Sequence, residues 1–356
     1  MKKTAHVFKY RTSSTIAIVT VLMTLLGCTD NRESDSAGSN VINGICGESI
    51  STADLTDIRI GHSAFAAPTL QWGINQGCFA EAGLNVIAQQ VRGPEAAAGI
   101  SSGSLDVMSA SPRDAVTLFA NAGFESRIIS AHTGVSQEDL DRAKQEPLYP
   151  GEFLLQTAMF VRNDSPVKSP ADLRNVTIGS NVTVGNVANT VRRTLSHFGI
   201  NDEDILLIEV PQESIHTAIQ NGDIGAGVVS GRYMNLALES GLRLIAYPGA
   251  YGFDAGTITA WITERSVLEE KADLVRSFRK ATKRIAFLLT DPSNEASWRQ
   301  VLVDHLQFDP EVANQTVVPD YWTKDVTLEE LQNLGASLLE AGEIKEIPAL
   351  AEMLFD

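Results

Sequence analysis

The chain has 356 residues, 44% of them hydrophobic, and a formal charge of −16 from 28 Lys and Arg against 44 Asp and Glu. That length supports a sizeable core in one two-lobed protein or two compact domains, and the acid excess leaves no basic footprint for nucleic acid. No apolar run reaches the roughly 18 residues of a membrane helix, which excludes a channel or permease, and six His with three Cys leave little material for a metal cluster.

Residues 1–27 carry Lys2, Lys3, Lys9 and Arg11 and no acidic residue, followed by an apolar stretch from Thr15 to Leu26 that is too short to span a bilayer. The stretch ends in Leu25-Leu26-Gly27-Cys28. This resembles a bacterial lipobox, which implies that 1–27 is a signal peptide and that Cys28 is lipidated; the alternative is a chance cysteine after an ordinary signal peptide. Thr29 follows, so the Asp of an inner-membrane retention signal is absent. Losing four positive charges and no negative ones leaves −20. Residues 28–53, rich in Ser, Asp, Asn and Gly, read as a flexible tether. The expected location is extracytoplasmic. In an oxidising compartment Cys46 and Cys78 are either a disulfide, pinning the end of the tether to the turn before Phe79, or two buried thiols.

The body alternates strands and helices. Strands are expected at Ile58–His62, Leu84–Val91 and around Leu105–Ser109, with helices at Pro68–Gln76, from Pro94 and over Pro112–Ala122. The middle third repeats the rhythm: strands at Val176–Gly179, Ile205–Val210 and Ile224–Val229, helices at Gly185–His197 and Glu213–Gln220. Strands separated by helices imply βαβ units and largely parallel sheets. From Glu264 onward Leu, Ile and Phe recur at helical spacing.

Two stretches align at an offset of 119 residues: Ile100 to Leu105 and Ile219 to Ile224 share I-x-x-G-x-(Leu or Ile), and Ser111-x-Arg113 matches Ser230-x-Arg232. Each following helix closes at a glycine, Gly123 and Gly241. The repeated unit is a helix ended by a Gly cap, a short strand, and a Ser at the next helix start. It points to two α/β lobes of similar build.

Gly77-Cys-Phe79-Ala-Glu-Ala-Gly83-Leu84 resembles the G-x-F-x-x-x-G-L segment of ABC-transporter solute-binding proteins. Gly103-Ser-Leu105-Asp106-Val107 is similar to their G-x-L-D-V turn, and Ser165-Pro166-Val167-Lys168-Ser169 to Leu173 resembles their S-P-I-K-S-x-x-D-L linker. Gly222-Asp-Ile224-Gly225-Ala226 matches G-x-I-D-A except that Gly225 replaces the Asp. In order, these matches cover about residues 57–290 and resemble the branch serving nitrate, sulfonates, taurine, aromatic carboxylates and thiamine-pyrimidine precursors. The resemblance implies the type II periplasmic-binding-protein fold, an α/β class with two Rossmann-like lobes joined by two crossover strands and closing like a hinge. Lobe one is expected at 54–160 and 255–356, the latter a helical C-terminal region, and lobe two at 161–254. Leu155–Val161 and Ile258–Ile262 would be the crossovers, and Ser136–Gly151 an insertion near the cleft.

In open α/β sheets ligands bind beyond the carboxyl ends of the strands. In lobe one those ends offer His62 and Phe65, Gln71 and Trp72 a turn into the helix, then Ser109, Ser111 and Arg113. In lobe two they offer Asn181, Thr183, Ser230, Arg232 and Tyr233, with Tyr251, Phe253 and Asp254 before the second crossover. Helix N-termini there suit a carboxylate, sulfonate or phosphate, and the aromatic rings suit a flat or apolar portion. Each residue has a structural alternative: Ser111 and Ser230 as helix caps, Trp72 as core, Arg113 and Arg232 paired to surface acids, His62 as a satisfied structural histidine, Asp254 in a salt bridge across the hinge.

Enzymatic signals are weak. Gly61-His-Ser63-Ala-Phe65 lacks the second Gly of a nucleophile elbow, and neither a phosphate-binding loop nor a G-x-G-x-x-G run occurs. The same fold serves a eukaryotic pyrimidine synthase and a chorismate-processing enzyme, both cytoplasmic. The expectation is a monomeric receptor, without cofactor or metal, that hands a small organic solute to an ABC permease and its ATPase. The alternatives are an input protein for a membrane sensor or other transporter, a surface-anchored enzyme, or a purely structural lipoprotein.

Overall fold

A computed structural model describes residues 41–51, 53–91, 93–145, 157–183, 185–316 and 318–355. The expected signal peptide, Cys28 and the first half of the expected tether lie outside these residues, as do 146–151 of the expected insertion and 155–156 of the first expected crossover.

The second half of the expected tether is folded. β1 (Val41–Gly44) and β2 (Gly47–Ser51) form an antiparallel hairpin. It is fixed to the body because Cys46 and Cys78 form a disulfide and the Cys46 N–H donates to the Gln76 carbonyl at 3.1 Å.

In chain order, β3 (Thr56–His62), α1 (Ala67–Asn75), α2 (Cys78–Glu81), β4 (Leu84–Gln90), α3 (Gly93–Ser101), β5 (Val107–Ala110), α4 (Pro112–Ala122) and β6 (Ser126–Val135) make the first part of lobe one. After α5 (Gln137–Arg142) come β7 (Thr157–Val161), β8 (Thr177–Ser180), α6 (Asn186–His197), β9 (Leu206–Glu209), α7 (Gln212–Asn221), β10 (Ala226–Ser230), α8 (Arg232–Glu239), β11 (Arg243–Ala246) and α9 (Pro248–Gly252). The chain then returns to lobe one through β12 (Gly256–Glu264), followed by α10 (Arg265–Leu289), α11 (Glu295–Asp304), α12 (Pro310–Gln315) and α13 (Leu328–Glu340).

The two sheets have one design, with strand orders β4-β3-β5-β12-β6 and β9-β8-β10-β7-β11. In each, four strands run in one direction, three of them paired side by side, and the inserted strand, β12 or β7, is antiparallel to both neighbours. The repeat seen in the sequence is real at backbone level. Gly103 and Gly222 sit at φ 76° and 82°, and Gly123 and Gly241 at 67° and 76°. This left-handed region lets a helix end in a tight turn and is open to glycine without penalty.

β7 shows why lobe two has three layers. Its side chains alternate, so Ala158 and Phe160 join one cluster with Ile215, Val229 and Met234, while Met159 and Val161 join another with Ile178 and Val191. Lobe one's core gathers Trp72, Phe79, Trp261, Phe278 and Trp298 from strands and C-terminal helices alike.

Both stretches expected as crossovers are strands in the described residues: Thr157–Val161 is β7, paired with β10 and β11 in the second sheet, and Ile258–Ile262 is part of β12, paired with β5 and β6 in the first. Ser136–Gly151 contains a helix, α5, whose Leu140 packs with Val135, Ala143, Tyr247 and Ala250 in lobe two's core. Lobe two therefore begins near Val135 rather than at 161.

Candidate functional site

The register sets where the lobes face each other. The last residue of β10, Ser230, pairs with Thr157 at the start of β7, and Ala110 at the end of β5 pairs with Ala260 of β12. Both linking segments therefore leave their sheets at the carboxyl ends of the parallel strands, and the crevice between the lobes lies at those ends.

On lobe one's wall, the Ser63 N–H donates to Ser109 Oγ at 2.9 Å and Ser109 Oγ lies 3.4 Å from Ser63 Oγ, which ties the ends of β3 and β5 together. His62 is buried, its Nδ1 3.0 Å from the Ser63 carbonyl, so that nitrogen carries the proton. Phe65, half-buried in the next turn, meets the His132 ring edge-on at 5.8 Å.

Two residues expected in the cleft lie elsewhere. Trp72 is fully buried and donates its indole N–H to Ser297 Oγ at 2.9 Å, between α1 and α11. An apolar helix face does not say which neighbour covers it, and here the C-terminal helices do. Gln71 donates to Asn75 one turn along, and Asn75 contacts His305 at the end of α11, so this face also turns to the C-terminal helices.

On lobe two's wall, Asn181 and Thr183 are half-buried in the turn between β8 and α6. Ser230 is held from the side: Gln212 Nε2 donates to its Oγ at 2.7 Å and Gln212 Oε1 accepts its N–H at 3.0 Å. Arg232 opens α8, and Tyr233 and Phe253 pack half-buried against lobe two's core. Asp254 pairs with Arg193 of α6 at 3.5 Å, an ion pair within lobe two and not across the hinge. The terminal nitrogen of Arg113 pairs with Glu343.

The four helix starts at the crevice are not equivalent. Ser111 caps α4 in a reciprocal box: its Oγ accepts the Asp114 N–H, and the Asp114 carboxylate takes both the Ser111 N–H and hydroxyl, at 3.1 and 2.7 Å. That start is self-satisfied and bears a negative charge, so it is poorly suited to an anion. The starts of α1, α6 and α8 have no side-chain cap and no acidic residue in the first turn. An uncapped, acid-free start suits an oxyanion, although Pro68 leaves α1 one N–H fewer than α6 and α8.

The sequence reading missed His132, which is buried at the middle of β6 below Phe65. Its Nε2 is 2.9 Å from Thr69 Oγ1 and its Nδ1 3.1 Å from Thr259 Oγ1; Tyr321 Oη is 3.1 Å from Thr69, and Trp261 packs on the ring. Burial lowers its pKa to about 3, so the imidazole is neutral and supports the wall as a hydrogen-bonding strut. Nothing local in Ala131-His132-Thr133 signals this, since each partner is distant in sequence.

The lobes also touch directly: Asn235 of α8 donates to the Gln315 carbonyl of α12 at 2.6 Å, and Gln315 Nε2 donates to Glu239 at 3.1 Å. Among the described residues there is no cluster of His, Cys, Asp or Glu fit for a metal and no helix long and apolar enough to cross a membrane.

Comparison with known proteins agrees with this geometry. Residues 154–295 match the family described as NMT1/THI5 like. The alkanesulfonate-binding protein SsuA from Xanthomonas axonopodis pv. citri, bound to MOPS, superposes with a TM-score of 0.62 at 17% identity, over 85% of this chain and 99% of that one. The periplasmic nitrate-binding protein NrtA from Synechocystis PCC 6803 gives 0.61 at 12%, over 85% and 86%. The desulfurization enzyme DszB, in complex with biphenyl-2-sulfinic acid, gives 0.59 at 14%, over 84% and 96%. No curated protein matches the chain in sequence. The chain thus carries an NMT1/THI5-like segment, running from residue 154 through β7 to β12 and α10, on the type II periplasmic-binding-protein fold shared with SsuA and NrtA.

Proposed function

We propose that this protein is an extracytoplasmic receptor that captures a small organic solute bearing an oxyanion and delivers it to an ABC permease and its ATPase. The observation that carries the reading is the set of three uncapped, acid-free helix starts, on α1, α6 and α8, at one crevice between two lobes. A ligand bridging them shifts the population towards the closed arrangement, which the permease recognises. The fold likeness to a MOPS-bound sulfonate-binding protein and a nitrate-binding protein supports a sulfonate, carboxylate or similar head group; a heteroaromatic body such as a pyrimidine would lie against Phe65, Tyr233 or Phe253. Lipidation of Cys28 would hold the receptor to the membrane as a monomer. Its strongly acidic surface slows anion encounter but does not set the potential inside the crevice.

The likeness to a desulfurization enzyme makes turnover the second reading. Against it, the Ser63 and Ser109 hydroxyls bond to each other and to main chain, and no hydrogen bond among the described residues joins either hydroxyl to an imidazole, the His62 ring meeting only the Ser63 carbonyl. Cys46 and Cys78 are consumed in a disulfide, so neither is a thiol nucleophile. Mass spectrometry of the natively purified protein, before and after incubation with its co-purified solute, separates the two readings. A receptor returns the solute unchanged; a new product sinks the receptor reading.

A further inference from the structure

The chain crosses between the lobes on two adjacent strands. Val135, the last residue of β6, packs in lobe two's core, whereas Ile128, Ile129 and Ala131 of the same strand pack in lobe one's. β12 makes the return: Ile258 packs with lobe two's core, and Ala260, Trp261 and Ile262 with lobe one's. Gly256 pairs with Val135 and Thr257 with Gly134, so the passage is an antiparallel ribbon whose register slips between Thr257 and Thr259 and again before Ala260.

A glycine stands at the passage on each strand, and lobe one's C-terminal region closes on both. A side chain at Gly134 would run into the Trp322 ring and the Gly256 carbonyl; one at Gly256 would run into the Glu330 carboxylate. Gly256 also has φ 129°, a backbone state that other residues rarely adopt. Main-chain bonds fasten the first contact, the Gly134 N–H donating to the Asp320 carbonyl and the Trp322 N–H to the His132 carbonyl, both at 3.1 Å.

Glu330 fastens the second. Its Oε2 accepts the Thr327 N–H at 2.6 Å in the capping box of α13, and its Oε1 accepts the Thr257 N–H at 3.2 Å. The cap is complete with Oε2 alone, so the bond from Oε1 to the ribbon is not needed to start the helix. One carboxylate thus joins a helix start in lobe one to the first residues of the returning strand.

We propose that Glu330, seconded by Trp322 on the neighbouring strand, is a positioning residue for solute capture, holding the ribbon at one bend and so setting the resting spacing of the lobes. A ligand that closes the crevice works against or with this clamp, and the clamp therefore tunes affinity without touching the ligand. The effect on capture rests on the receptor reading; the effect on lobe spacing does not.

The test is double electron–electron resonance on the ligand-free full chain, with nitroxides at Gln89→Cys in lobe one and Glu213→Cys in lobe two, both exposed, and Cys28→Ser to leave no other thiol outside the disulfide. The parent should show one dominant spacing. Glu330→Ala should broaden it, other spacings gaining about fivefold in population, the worth of one hydrogen bond. Glu330→Gln, whose amide oxygen still accepts the Thr257 N–H, should keep the parent distribution. Thr327→Ala weakens the cap but leaves its N–H on Glu330, so it should lower stability without moving the spacing. Gly134→Ala, which displaces the Trp322 ring, should broaden the spacing as Glu330→Ala does, and it decides the matter if that variant does not fold. A distribution unchanged in Glu330→Ala and Gly134→Ala overturns the proposal, as does one broadened equally by Thr327→Ala. Because no ligand is present, a failed receptor reading leaves this result standing.

Discussion

Ser63 and Ser109 fasten the ends of two neighbouring strands at the crevice: the Ser63 N–H donates to Ser109 Oγ at 2.9 Å across 46 residues of sequence. Ser109→Ala removes the acceptor and leaves a part-buried N–H unpaired. The expected cost is about 1–2 kcal/mol of stability, and the loosened turn should lower solute affinity several-fold. Denaturant unfolding and ligand titration of the same variant measure both; an unchanged affinity would place the turn outside the binding wall.

Lobe two fastens its corresponding strand end differently, with Gln212 holding both the N–H and the hydroxyl of Ser230. Gln212→Ala should therefore cost about as much as Ser109→Ala and also weaken solute binding. Binding weakened by one variant alone would mean that the ligand rests on a single lobe.

His132 makes stability depend on pH. Its folded-state pKa of about 3 lies below the ordinary histidine value, so the unfolded chain binds a proton that the folded protein refuses. The stability it secures is full above about pH 6.5 and falls as pH drops towards the folded value, by at most about 1.4 kcal/mol per unit. His132→Gln should flatten stability between pH 6 and 4 relative to the parent, read from urea midpoints at each pH. An unaltered slope would mean that other groups carry it.

Asp106 is buried at the opposite end of the sheet, below the start of β5, where Arg59 meets it at 2.9 and 3.1 Å and Lys271 at 2.7 Å. Burial alone would raise its pKa, but these two cations and the Arg59 N–H outweigh it and hold the carboxyl below its usual range. α10 bends at Lys271, where φ is −136°, and the bent residue delivers the amine. Asp106→Ala should cost about 3 kcal/mol, since two half-buried cations lose their partner. The carboxylate's contribution is present above about pH 4 and is lost as pH falls through the depressed folded value. Thermal unfolding at pH 7 checks the first statement, and an acid titration of parent and variant the second.

Reduction of Cys46–Cys78, or replacement of both by Ser, opens a loop spanning 32 residues and should cost about 2–4 kcal/mol. The hairpin should then become the most protease-sensitive part of the body. Equal sensitivity of bridged and reduced protein would mean that the Gln76 hydrogen bonds suffice to hold it.

Much of the architecture was readable from Ile100 to Arg113 and Ile219 to Arg232, because helix caps and short apolar strands are encoded by neighbours in sequence. β6 was not readable. All ten of its residues are buried, yet Ser130, His132 and Thr133 break the apolar pattern and are satisfied by Thr282, Thr69 and Thr259, far away in the chain. The same limit explains Trp72, whose helix face is apolar whether α11 or a ligand covers it, and the hairpin, whose polar residues hid a fold that depends on Cys78. At the crevice, Ser111 and Ser230 were expected to be alike from their matched spacing. They occupy equivalent strand ends, but only Ser111 is a cap, because Asp114 has no counterpart in lobe two, where Tyr233 stands at the corresponding position.

The central claim, capture of an oxyanion-bearing solute between the lobes, is tested most directly by thermal unfolding against taurine, alkyl and aryl sulfonates, nitrate, aromatic carboxylates and pyrimidines. A ligand at 100 times its Kd adds roughly 2.7 kcal/mol, a rise in midpoint of about 5 °C for a body of this size. One anionic class raising the midpoint, with the rise diminished in Ser109→Ala and Gln212→Ala, is the predicted result. A midpoint unmoved by every anion, or raised equally by uncharged analogues, would contradict the account.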